Sequence, residues 1–174
     1  ENDLVVGTHG RGMWITDISP LQELTRSVLK KDVFLFDIEP QVKWKDKTGH
    51  VYAYNNFYGE SEEPGVKINY YLKKDRPADV TVRIYQGNVM VNEIAGEDSS
   101  GLHQVVWHMD KRRRRSKEEM ERLKKRLEGW RELRESDYWE RIPLPPGEYG
   151  VVLHVDDVKL RKTAAVLKDE WYLK

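Results

Sequence analysis

Apolar and polar residues alternate with a period of two along much of the second half of this chain, the repeat of a strand with one buried face. Val66, Ile68, Tyr70 and Leu72 alternate with Lys67 and Asn69, and Val80, Val82 and Ile84 alternate with Thr81 and Arg83. Gln86-Gly87-Asn88 predicts a tight turn into Val89-Met90-Val91. Gly101 opens a run from Leu102 to Met109 in which His103, Val105 and Trp107 share a face. After Pro143, Pro145 and Pro146, the set Tyr149, Val151, Leu153 and Val155 leads through an Asp156-Asp157 turn into Leu160 to Leu167, a closing hairpin. Short strands at close spacing with turn signals between them predict an all-β chain built as an antiparallel β-sandwich.

The first forty residues follow a different plan. Leu4-Val5-Val6 and Met13-Trp14-Ile15-Thr16 read as two strands around the bend Gly7-Thr8-His9-Gly10-Arg11-Gly12. Pro20 stands at a first helical position, and Leu21, Leu24, Val28 and Leu29 recur at roughly helical spacing, which predicts a short helix near 20 to 30. Val33-Phe34-Leu35-Phe36 predicts a strand stopped by Pro40, leading into a linker. Residues 41–63 mix Trp44, Tyr52, Tyr54, Phe57 and Tyr58 with Asn, Gly and acidic residues, and this aromatic linker is the expected domain boundary.

One long helix interrupts the strands. Met120, Leu123, Leu127 and Trp130 recur at helical spacing, and Ser116 with Glu119 fits a capping box, so residues 116–135 predict an amphipathic helix with one narrow apolar stripe. Segment 111–142 is therefore expected as a helical insertion, with Gly129 its weakest interior point. The stripe suits packing on the protein's own body or pairing with another chain.

Composition narrows the chemistry. The 174 residues carry no cysteine, which excludes disulfides, thiolate metal sites and a cysteine nucleophile and leaves the redox compartment open. No apolar run reaches the ~18 residues of a membrane span, and the opening residues lack the build of a signal peptide. With no initiator Met and a strand beginning at once, the chain is expected to be a part of something longer. The 30 basic and 30 acidic residues cancel, yet 111–141 holds 13 Lys+Arg and 8 Asp+Glu, a balance of 13 − 8 = +5 that leaves −5 elsewhere. A basic segment is mounted on a mildly acidic body.

Four pieces carry a resemblance: LVVGTHGRGMWITDISPL from Leu4, VFLF from Val33, GLHQVVW from Gly101 and LPPGEY from Leu144. In this order they resemble the C-terminal region of bacterial BNR-repeat, sortilin-like β-propeller proteins often labelled glycosyl hydrolases. The resemblance is most specific in 4–21 and 101–109 and does not extend to 111–142. It implies that residues 1–40 hold the remnant of a last propeller blade with its connecting helix and strand, that 41–63 is the linker, and that 64–174 is an immunoglobulin-like, FlgD-like sandwich. It further implies a secreted, periplasmic or cell-envelope parent, with the propeller as partner and any glycosidase carboxylates in that propeller. No position here matches such carboxylates, so no catalytic residue is assigned. The expected function is that of a non-catalytic accessory or interaction domain; the alternative is a carbohydrate- or anionic-polymer-binding module.

The residues themselves offer a few candidate sites. Trp44, Tyr52, Tyr54 and Tyr58 beside Asn55 and Asn56 could stack on sugar faces, or bind the linker to its neighbours. Lys111 with Arg112, Arg113, Arg114 and Arg115 could grip an anionic polymer, or merely solvate the approach to the helix. No aromatic lies inside that run, which weighs against nucleic acid. The glycine-rich bend is no phosphate loop, because a strand rather than a helix N-terminus follows it, though His9 and Arg11 could face a ligand in an intact propeller. His103 and His108 differ by an odd number of positions and point to opposite faces of a strand, so no metal site is expected, and His154 stands apart. Asp156-Asp157 suits a turn, Glu60, Glu62 and Glu63 lie in an acidic stretch, and no cofactor is expected.

Overall fold

The computed structural model describes residues 2–10, 12–45, 63–76 and 80–170. Their strands run almost wholly antiparallel, with few helices, which makes the chain all-β. The first hairpin pairs β1 (Asp3–Thr8) with β2 (Gly12–Asp17). A single short helical turn, α1 (Ser19–Glu23), leads to β3 (Val33–Leu35) and β4 (Gln41–Lys43). Then come β5 (Val66–Leu72), β6 (Thr81–Gln86), β7 (Val89–Ala95) and β8 (Gly101–Trp107). A two-stranded ribbon of β9 (Asp110–Arg114) and β10 (Trp139–Pro143) brackets the helix α2 (Lys117–Leu127) and a 3-10 turn at Glu135–Tyr138. The long hairpin of β11 (Gly147–Val155) and β12 (Val158–Lys168) ends the order.

Two sheets share one core. The five-stranded sheet runs β4-β12-β11-β6-β7 and the three-stranded one β3-β5-β8. Alternation decides which side chains meet: Val66, Ile68, Tyr70 and Leu72 from one sheet and Val82, Ile84, Val151 and Leu153 from the other are fully buried in a single cluster. Each such aliphatic side chain contributes about 1.5–3 kcal/mol by leaving water. Trp107 and Tyr149 meet edge to face, centroids 4.9 Å apart at 66°. Trp107 Nε1–H donates to the Asp110 carbonyl at 2.9 Å, and the Tyr149 hydroxyl donates to the Pro145 carbonyl at 2.6 Å, so both polar tips are satisfied.

Several expectations need correction. The helix near 20 to 30 is one turn long, because Leu21 and Leu29 stay exposed and only Val28 of that set is buried. Beyond it the Thr25 and Ser27 hydroxyls bond each other and Thr25 Oγ1 accepts from Val28 N–H, local bonds that compete with a helix. β3 pairs antiparallel with β5, and β4 pairs parallel with β12, so both are strands of the two-sheet body although they precede the boundary placed at 64. The segment 111–142 is more than a helix: its ends pair as β9 and β10, from Asp110 opposite Pro143 to Arg114 opposite Trp139. α2 starts where expected, with the Ser116 and Glu119 capping box formed, but it ends at Leu127. Gly129, with φ +82, is the left-handed residue just past its end rather than a weak interior point.

Candidate functional site

Two surfaces stand out among the described residues, and the hairpin comes first. Cross-strand register puts Leu4, Val6, Trp14 and Thr16 on one face and Val5, Met13 and Ile15 on the other. Both faces are apolar, yet every one of these apolar residues is exposed, from 43% for Val6 to 77% for Met13. A strand apolar on both faces is the signature of one covered on both faces, and a lone two-stranded ribbon is marginal in water. The hairpin meets the body across a polar groove of ≈ 680 Å³ lined by β2, Glu39, Gln41 and Lys67. Beneath it the Ser19 hydroxyl bonds the Asp17 carboxylate and lies 3.0 Å from Glu39 Oε1.

The second surface is the arm made by the ribbon and α2. Its root is pinned inside the body: Asn92 Nδ2 donates to both the carbonyl and the carboxylate of Asp110, at 3.0 and 3.1 Å, where Asp110 is 6% exposed. Farther out no residue of α2 is buried, so the helix is held by charge rather than by its apolar stripe. Arg113 makes a forked pair with Glu119, at 3.1 and 2.7 Å, and also binds Glu140. The Arg113 guanidinium and the Ser116 N–H together pull the Glu119 carboxyl down to about 2. Arg131, just past the helix, forks onto Asp137 and holds that carboxyl well below the usual range, helped by the Arg134 N–H. Trp130, expected in the stripe, is 88% exposed.

Strand alternation divides the arginine run in two. Arg113 and Arg115 face Glu140 and are neutralised, with Arg115 Nη1 3.7 Å from Glu140 Oε1. Arg112 and Arg114 point to the opposite face, where Arg141 and Trp139 lie directly across from them. Arg141 is loosely paired with Asp110 at 3.7 Å, and among the described residues Arg112 and Arg114 have no acidic partner. Sequence reading singled out Arg112 to Arg115 together and passed over Trp139 and Arg141, because only the pairing of β9 with β10 brings the four together.

Of the aromatics named in the linker, Trp44 alone lies among the described residues. Trp44 follows β4 and is 63% exposed, while Tyr52, Tyr54, Phe57 and Tyr58 lie outside the described residues. The histidines serve locally: a His103 ring nitrogen bonds the Ser99 carbonyl, and His108 bridges the Pro64 carbonyl and Glu63. His154 lies on the outer face of the five-stranded sheet, where burial and then Arg83 and Lys159 press its imidazole below its ordinary pKa. Asp156 takes φ 51 in the closing hairpin and pairs with Arg76 at 3.3 Å, a turn role as expected. Among the described residues no three acidic or histidine side chains converge as metal ligands would, and no helix is long and apolar enough to cross a membrane.

No family model matches the chain, and no curated protein and no solved structure matches it.

Proposed function

We propose that this chain is a non-catalytic accessory or interaction domain of a larger secreted β-propeller protein, an immunoglobulin-like sandwich whose first hairpin is completed by strands from outside the chain described. The observation that carries the reading is the hairpin, apolar on both faces and exposed on both. Further strands of the same blade would pair with the hairpin's edges, and the blades on either side would cover Val5 and Ile15 on one face and Val6 and Trp14 on the other. The body supports the sandwich reading through Trp107 set edge-to-face against Tyr149, and through the Tyr149 hydroxyl bonding a carbonyl four residues upstream, an arrangement like the tyrosine corner of immunoglobulin-type domains. Glycosidase activity, where the parent has it, resides in the propeller.

The experiment is removal of residues 1–17. The hairpin's backbone closes on itself, with Ile18 N–H donating to the Asn2 carbonyl, and its side chains contribute nothing to the buried cluster. The shortened chain keeps the urea midpoint of the intact one to within ~0.5 kcal/mol, and loses the concentration-dependent association that the exposed apolar ribbon causes. Unfolding of the shortened chain would assign the hairpin to the body's own fold and contradict the reading.

A further inference from the structure

We infer that the face of the ribbon carrying Arg112, Arg114, Arg141 and Trp139 is a binding surface for a linear acidic polysaccharide. This goes beyond the accessory role above and does not depend on it, since the ribbon and the hairpin are separate elements.

The argument begins with how a strand sorts its neighbours. Lys111 to Arg115 is five consecutive cations, and in a loop or helix they would spread around the backbone. In β9 they split by parity. On the face turned to α2 the two arginines are spent on internal pairing, because Arg113 holds Glu119 and Glu140 and Arg115 holds Glu140, while Lys111, on the same face at the root of the ribbon, is exposed. The other half keeps its charge for something else. Arg112 and Arg114 are exposed and have no acidic partner among the described residues, and Arg141 sits opposite Arg112 with only a loose 3.7 Å approach to Asp110. Three guanidiniums thus crowd one side of two paired strands, at a strand repeat of ~6.6–6.8 Å along β9 and ~4.5–5.5 Å across the pair. Like charges so placed repel one another, a cost that an anion removes.

Trp139 decides the kind of anion. It lies directly opposite Arg114 on this same face and is 44% exposed, so a flat apolar ring borders the guanidiniums. Guanidiniums take carboxylates or sulfates as planar forks, and an indole face takes the apolar face of a sugar ring. A chain of sugars bearing acid groups offers both in alternation. A nucleic-acid strand is held along a basic track several nucleotides long with aromatic rings under successive bases, whereas this face offers three arginines and a single indole. The ribbon supplies rigidity: its root is fixed by Asn92 and Trp107 on Asp110, so the four side chains are held on a paired backbone rather than on a loop.

The test uses the whole chain against polygalacturonate and a sulfated dextran, with neutral dextran and a poly-dT oligonucleotide as comparisons, at low and high salt. The expected result is binding to one or both acidic polysaccharides, weakened by salt and absent with neutral dextran. Arg112→Gln with Arg114→Gln lowers the affinity at least tenfold, and Trp139→Ala lowers it severalfold without changing the salt slope, because it removes stacking and no charge. Arg113→Gln, on the paired face, changes it less than twofold. Circular dichroism confirms that each variant keeps its strands. No binding to either acidic polysaccharide overturns the assignment, as does an equal loss with Arg113→Gln, and tighter binding to poly-dT replaces the polysaccharide with nucleic acid.

Discussion

The Trp107 and Tyr149 pair is where the two sheets are locked together, and Tyr149 is the residue that tests this most cleanly. Tyr149 is 1% exposed, its ring meets Trp107 at 4.9 Å, and its hydroxyl spans back to Pro145 at 2.6 Å. Burial pushes its phenol pKa up, so the hydroxyl stays a donor through neutral pH. Tyr149→Phe keeps the ring and removes the bond, leaving the Pro145 carbonyl without that donor; the cost is about 1–1.5 kcal/mol. Tyr149→Ala removes the ring as well, which opens a cavity beside Trp107 and costs about 3–5 kcal/mol. For a chain of this size, each kcal/mol lowers Tm by about 2–4 °C, so the Phe variant melts roughly 2–6 °C lower. Urea unfolding followed by tryptophan fluorescence and by circular dichroism reads both. In a double-mutant cycle with Trp107→Phe, a coupling of about 0.5–1.5 kcal/mol reports the edge-to-face contact. A Phe variant within ~0.3 kcal/mol of the parent would refute the hydroxyl's role, and an Ala variant costing under ~1 kcal/mol would refute the packing argument.

Three further outcomes follow from the same geometry. A Cβ at Gly96 would stand 2.6 Å from the Tyr70 hydroxyl and 3.0 Å from Val80 Cγ1, so Gly96→Ala displaces the Tyr70 bond to the Glu97 carbonyl and destabilises by about 1–3 kcal/mol in urea unfolding, whereas Gly87→Asn, at φ +60 in open space, changes stability by less than ~0.5 kcal/mol. Burial raises the Tyr70 phenol from 10.0 to about 12, so above pH 10 the unfolded chain releases this proton while the folded one keeps it; stability falls between pH 10 and 12 by up to ~3 kcal/mol, and Tyr70→Phe removes that part of the fall when the two pH profiles are subtracted. Ser116→Ala breaks the capping box and weakens α2 by about 1 kcal/mol, seen as lost helical circular dichroism, with the body's urea midpoint unmoved because no residue of α2 is buried.

The strands of the body were legible because each places one apolar face on the core, and Val66 to Leu72, Val80 to Ile84 and Tyr149 to Val155 alternate as that demands. The capping box of α2 was equally legible, being a local bond between residues three apart. β9 was not, since five exposed or charged positions in a row have no alternation to read; its pairing with Trp139 to Pro143 is a long-range event. β4 is three half-buried residues recruited by parallel pairing to β12, and nothing local in Gln41-Val42-Lys43 announces that. The basic run was visible as composition, but the division into a paired and an unpaired face required the strand and the positions of Glu119 and Glu140. The hairpin's two strands were read correctly, and their exposure on both faces emerged only when the body was seen not to cover them.

The central claim is that the first hairpin lacks, within this chain, the neighbours its residues are built to meet. Amide hydrogen exchange on the intact chain tests it directly. The account predicts that amides of β1 and β2 exchange with an opening free energy of about 0–2 kcal/mol, while those of β11 and β6 open only with global unfolding. Protection of the hairpin equal to that of β11 would show it integrated into the body and would contradict the account.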